Sequence, residues 1–182
     1  MSDLGEKCGV FGVFGRGLDV SRISFFGLFA LQHRGQESSG IAASDGKRIL
    51  AHKGMGLVSQ VFSEDNIKEL TGHIAIGHNR YSTAGGSHID HAQPTIVGDW
   101  SIALAHNGNL PSSVALEKFL HGKKIETDGL SDSRMIAQAI GVLVKEGASL
   151  EEAIKKAYPL MTGAFSILVM SKDKLIAIRD AC

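Results

Sequence analysis

Only two cysteines occur in the 182 residues, Cys8 and Cys182, and they stand near opposite ends of the chain. Thiols so placed make a poor disulfide framework, so the fold has to be held by its core. Proline is scarce at three residues, and there is one tryptophan. Long apolar runs are missing too. Phe25-Phe26-Gly27-Leu28-Phe29-Ala30-Leu31 is soon closed by His33-Arg34, far short of the roughly 18 residues a membrane span requires. The first seven residues, Met1 to Lys7, lack the apolar centre of a secretory signal. Neither sign of charge is in excess, with 19 Lys+Arg against 19 Asp+Glu, which removes the electrostatic footprint of a nucleic-acid binder. A cytoplasmic protein with no membrane or nucleic-acid partner is expected.

What is present fits one globular domain. Hydrophobic residues make up 43% and charged residues 21%, an ordinary balance, and the length suffices to bury a core without metal or cross-links. Alternation predicts strands at Val10–Phe14, Gly40–Ser44, Arg48–His52, Ile74–His78, Ser101–His106, Ala164–Met170 and Leu175–Arg179. Asp45-Gly46 marks a hairpin turn. Helical spacing predicts helices at Val20–Gln32, Ser112–His121, Ser131–Glu146 and Leu150–Ala157. The first would bury Val20, Ile23, Phe26 and Ala30 and stop at Gly35, and the third would bury Met135, Ile136, Ala139, Ile140 and Leu143. Strands, then helices, then strands, with hairpin-length connections, favour antiparallel sheets with helices packed outside. The 22 glycines cluster around polar stretches, where backbone must approach closely or take positive φ.

Four constellations can carry chemistry. Cys8 precedes a strand and follows a short polar heptapeptide. A buried cysteine is ordinarily a small core hydrophobe. Freed at the N-terminus, it would carry its own base, because an α-amine has a pKa of about 8. Arg80, at a strand end and followed by Tyr81, Ser82, Thr83 and glycines, suits a small carboxylate, since its planar fork offers bidentate bonds; the plain alternative is a surface arginine in a turn. Asn107-Gly108 pairs a side-chain amide with a glycine N–H, which can form an oxyanion hole or simply a turn. Ser131-Asp132-Ser133 opens a helix, where either Ser131 or Asp132 can be an N-cap and a carboxylate can also hold an ammonium group.

Taken together, Cys8-Gly9-Val10-Phe11-Gly12, Leu31 to Gly40, Gly77 to Thr83, His106 to Asn109 and Ser131 to Ser133 resemble the class II glutamine amidotransferases, in that family's order and from Cys8 to Arg179. His33 to Gly40 resembles the amidophosphoribosyltransferase branch in particular. The resemblance implies an α+β fold, the four-layer αββα sandwich of N-terminal-nucleophile hydrolases, with residues 1–7 a removed propeptide and 8–182 the glutaminase domain. It implies that Cys8 attacks the glutamine carboxamide to form a thioester and release ammonia, with its α-amine carrying the proton. Asn107 and Gly108 would stabilise the oxyanion. Arg80 would bind the α-carboxylate and Asp132 the α-ammonium, with Tyr81, Ser82 and Thr83 shaping the pocket and Arg34 closing a loop over it.

The resemblance also implies a longer enzyme. In the family, Arg-Asp is followed after two residues by Gly-x-Arg-Pro, whereas this sequence ends at Cys182. A domain shortened at its C-terminal end and lacking a phosphoribosyltransferase part is therefore expected. Magnesium, and in some relatives an iron–sulfur cluster, would belong to that missing part, as would use of the ammonia to form 5-phosphoribosylamine from phosphoribosyl diphosphate in purine synthesis. The full enzyme would be a homo-oligomer. Arg134 stands where the family usually has an acidic residue. Three rival readings remain: an ammonia-donor subunit of another synthase, an inactive assembly domain, and a metal-binding module built on His88-Ile89-Asp90-His91.

Overall fold

Alternating small and β-branched residues make the strands of this protein two-faced, and each face has a partner. The computed structural model describes residues 8–81, 88–98 and 102–181. The chain runs β1 (Gly9–Phe14), α1 (Val20–Ala30), β2 (Ser38–Ser44), β3 (Ile49–Met55), α2 (Val58–Val61), α3 (Glu64–Glu69) and β4 (Ile74–Arg80). It continues through β5 (Thr95–Val97), β6 (Ile102–Gly108), α4 (Val114–Gly122), α5 (Asp132–Lys145), α6 (Leu150–Ala157), β7 (Phe165–Met170) and β8 (Leu175–Arg179). Two four-stranded sheets result, ordered β1-β4-β2-β3 and β5-β6-β7-β8, with antiparallel neighbours throughout.

Successive residues of one strand enter different cores, as a period of two requires. In β2, Ile41 and Ala43 pack with Val20 and Leu28 of α1 and with Val58, Val61 and Ile67. Ala42, between them, packs with Ile74 and Ile76 of β4 and with Ala103, Ala105 and Met170 of the other sheet. In β6, Ile102 and Leu104 join Leu116, Leu120, Ile136, Ile140 and Ile154 of α4, α5 and α6. Fully burying a side chain such as Leu28, Ile41 or Ile136 contributes roughly 1.5–3 kcal/mol. Where sheet faces sheet, Ala42, Ala103 and Ala105 interleave with the larger Ile49, Ile74, Ile76 and Met170.

The expected antiparallel sheets and outer helices are present, and α6 and β8 fall on the expected residues. All five residues expected on the buried face of α5 are buried. α1 differs. It buries Val20, Ser21, Ser24 and Leu28, whereas Phe26 is 60% exposed. The helix turns serine and glycine to the sheet because the gap is narrow: a Cβ on Gly27 would lie 2.5 Å from the Phe11 ring. It also ends at Ala30, with Leu31 as C-cap and a 3-10 turn over Gln32–Arg34. Gly35 has extended backbone (φ −167°) and is no left-handed cap. Its glycine is needed because a Cβ there would meet the Arg80 carbonyl carbon at 2.7 Å. α2, α3 and β5 fall where periodicity predicts no element, each too short to show a period.

Gly40 is the tightest point between β2 and the segment before β5. A Cβ there would lie 2.1 Å from the Gln93 carbonyl oxygen and 2.8 Å from the Lys53 Cβ. Both neighbours are held, the first by backbone and the second by its strand. Gly40→Ala is expected to destabilise the protein by about 3 kcal/mol or more, read as a lower urea midpoint with an unchanged slope. An unchanged midpoint would show that the Gln93 segment yields freely.

Candidate active site

Three strand ends of the first sheet meet at Cys8. β1 starts immediately after it, with Gly9 opposite Asn79, and β2 places Ser38 opposite Arg80. Cys8 is half-buried. Burial pushes its thiol pKa up, while the Tyr81 backbone N–H donated to the sulfur and the Arg80 guanidinium oppose the shift; Glu37 adds to it and Arg34 opposes it. The thiol is therefore protonated at neutral pH and reacts as a thiolate only with a base at hand. Arg34 donates from Nε to the Cys8 carbonyl at 3.0 Å, so this arginine is packed against the cysteine backbone.

Arg80 lies in the last position of β4, its side chain 16% exposed. Its Nε donates to Glu37 Oε2 at 3.2 Å and its Nη1 to the His91 carbonyl at 3.1 Å. The segment with ligand-like histidine spacing thus supplies a carbonyl to Arg80. Its His88 pairs with Asp90 at 2.9 Å on the exposed surface. Among the described residues no three His, Cys, Asp or Glu side chains gather as a metal-ligand set.

The second sheet presents Asn107 and Gly108 at the end of β6, opposite Ser166 and Phe165. Gly108 has φ +152°, and a Cβ on it would lie 2.5 Å from the Ala164 carbonyl oxygen, so both its backbone angle and its space require glycine. Asp132 opens α5. The N-cap is Ser131, which accepts the Arg134 N–H, and that leaves the Asp132 carboxylate available, 28% exposed. Arg134 is exposed and, second only to burial, lowers the Lys53 pKa.

A buried polar network joins the two halves. His78, two residues before Arg80, donates from Nε2 to the carbonyl of His106, the residue before Asn107, at 3.0 Å. Gln93 grips the same peptide: its Nε2 donates to the His106 carbonyl at 3.3 Å and its Oε1 accepts the His106 N–H at 2.7 Å. Gln93 also donates to Ser133 Oγ at 3.1 Å, and His106 Nδ1 lies 3.0 Å from that oxygen. Ser133 donates in turn to Asp132 Oδ1 at 3.2 Å. With its proton on Nδ1, His106 donates to Ser133, while His78 Nδ1 and His106 Nε2 are buried without a hydrogen-bond partner among the described residues. Both histidines are held neutral, their pKa values lowered by burial, His78 to about 3.

The structure thus gathers Cys8, Arg34, Arg80 and Tyr81 at one end of the first sheet, and ties Asn107, Gly108 and Asp132 to them through His78 and His106. Ser82 and Thr83 lie outside the described residues. Glu37 and Gln93 have no role in the sequence reading. Glu37 sits inside the Leu31–Gly40 motif, where the motif itself is a signal, whereas nothing local marks Gln93.

Over nearly its full length the chain is homologous to the N-terminal part of amidophosphoribosyltransferases. It is 46% identical over 177 residues to the amidophosphoribosyltransferase of Synechococcus elongatus, covering 96% of this chain and 36% of the relative. With that of Methanocaldococcus jannaschii it shares 44% over 176 residues, 95% of this chain and 37% of the relative. A solved structure described as the allosteric regulatory enzyme of purine biosynthesis matches with a TM-score of 0.83 at 37% identity, over 94% of this chain and 37% of that one. The glutamine phosphoribosylpyrophosphate amidotransferase of Bacillus subtilis, complexed with ADP and GMP, matches with a TM-score of 0.79 at 35% identity and the same coverage. The chain thus spans little more than a third of the length of these relatives. No protein-family model matches it. No helix among the described residues is long and apolar enough to cross a membrane.

Proposed function

We propose that residues 8–182 form a glutaminase domain built as a four-layer αββα sandwich of the N-terminal-nucleophile type, with Met1–Lys7 removed to free Cys8. Three separate apolar cores, one between the sheets and one under each set of helices, support that layer order. The observation that carries the functional reading is the Cys8 sulfur itself, next to the Tyr81 N–H and within the field of Arg80 at the junction of three strand ends.

A thiol held protonated needs a base, and removal of the heptapeptide supplies an α-amine on the same residue. The amine takes the thiol proton, and the sulfur attacks the γ-carboxamide carbon. Asn107 Nδ2 and the Gly108 N–H donate to the developing oxyanion, each donor lowering the barrier by about 3 kcal/mol. The amine returns its proton to the leaving nitrogen and ammonia departs from the thioester, which water then hydrolyses to glutamate. Arg80 and Asp132 hold the α-carboxylate and α-ammonium, one fixed charge for each end of the zwitterion, with Tyr81, Ser82 and Thr83 around them and Arg34 helping to close the site. By similarity to its relatives, the complete enzyme would be a cytoplasmic homo-oligomer. It would use the ammonia on phosphoribosyl diphosphate to make 5-phosphoribosylamine, in a part that carries magnesium and any iron–sulfur cluster.

Ammonia release from glutamine tests the reading. Arg80→Ala and Asp132→Asn are each expected to raise KM for glutamine by about 10-fold or more, the cost of a lost charge-assisted hydrogen bond. A KM unchanged in both variants would remove them from the substrate site.

A further inference from the structure

We propose that Glu37 is a positioning residue for glutamine binding, its carboxylate holding the Arg80 guanidinium in the orientation that receives the substrate α-carboxylate. The inference rests on Arg80 being the carboxylate site.

Glu37 grips Arg80 twice. Its carboxylate takes the Nε edge at 3.2 Å, and its own backbone N–H donates to the Arg80 carbonyl at 3.0 Å. The Glu37 carbonyl in turn accepts the Gly56 N–H at 2.8 Å, which fixes the carboxylate's base. With Nε held by Glu37 and Nη1 by the His91 carbonyl, rotation of the guanidinium is blocked. Its Nη2 has no partner among the described residues, and together with the Nη1 hydrogen not given to His91 it offers the end-on fork a bidentate carboxylate takes.

The pair is a poor stability device, and this favours a functional role. The Glu37 side chain is 8% exposed, and its Oε1 is buried without a hydrogen-bond partner among the described residues. A half-satisfied buried carboxylate is costly, and apolar residues of similar volume would serve a core better. Activation of the nucleophile does not explain it either, since the Glu37 charge acts on the Cys8 thiol against ionisation. What remains is the arginine. Without Glu37 a flexible side chain would sample several rotamers, and each productive encounter would bear the ordering cost.

The test compares the mature protein with Glu37→Gln and Glu37→Asp on two substrates, L-glutamine and L-glutamine α-methyl ester, which lacks the carboxylate charge. Glu37→Gln is expected to raise KM for glutamine about 10-fold with kcat within about 3-fold, and to leave kcat/KM for the ester within about 2-fold. Glu37→Asp, which keeps the charge on a shorter stem, should recover part of the loss. Equal losses on both substrates, or a fall in kcat with KM unchanged, would overturn the proposal. If Glu37→Gln does not fold, Glu37→Asp carries the same comparison with the same overturning result. Arg80→Ala, run alongside, separates the two readings. An Arg80 effect confined to glutamine with a Glu37 effect on both substrates sinks only this inference. An Arg80 effect equal on both substrates sinks the carboxylate site, and this inference with it.

Discussion

Cys8→Ala is expected to lower ammonia release from glutamine by about 10³-fold or more, because removal of a covalent nucleophile leaves only binding and oxyanion stabilisation. The fold should survive, since Cys8 precedes β1, outside the three apolar cores. Equal ammonia release from variant and wild type would take Cys8 out of the chemistry. Processing gives a second arm to the same test. With Met1–Lys7 still attached, Cys8 has no α-amine and its thiol sits above the ordinary value because of burial. Alkylation of the unprocessed chain by iodoacetamide should therefore be slow at neutral pH and accelerate only as the pH rises beyond the ordinary thiol range. An intact mass lacking the heptapeptide should accompany activity. Full activity in a chain that retains Met1–Lys7 would rule out the α-amine as the base.

The second large effect is on stability in acid. Folded His78 stays neutral down to about 3, because burial lowers its pKa, whereas in the unfolded chain it protonates near 6.5. The unfolded state therefore binds the extra proton between these limits. The His78 contribution is complete above about 6.5 and is lost as the pH falls through that window, on the order of 5 kcal/mol in all. His106 adds a loss of the same sign, also through burial. Urea midpoints at pH 7 and pH 4 should separate widely for the wild type and less for His78→Gln, which has no proton to gain. Parallel pH dependence in the two proteins would show that His78 does not titrate between native and unfolded states.

These effects differ in how far the sequence alone could have foretold them. The placement of Cys8, Arg80, Asn107, Gly108 and Asp132 at element ends is legible because the period of each element is local: strands alternate, helices repeat and Ser131 caps. α6 and β8 are equally legible, the first because Ser149 and Glu152 form a capping box around a short amphipathic run. Glu37 and Gln93 are not legible in this way. Their partners, Arg80 and His106, are brought to them by strand pairing and by the stacking of two sheets.

The buried face of α1 shows the same limit. Spacing alone allows Phe26 inward, but Gly27 lies against Phe11, and only the distance between helix and sheet turns Ser21 and Ser24 to the core. Gly35 reads as a helix stop until the Arg80 backbone is seen crossing it. The sequence by itself determined the longer elements and the buried face of α5, because these depend on neighbours in the chain. The tertiary structure decided which charges face one another, which glycines cannot be replaced and which histidines stay neutral. Those properties depend on how closely distant segments approach, and no local period encodes that distance.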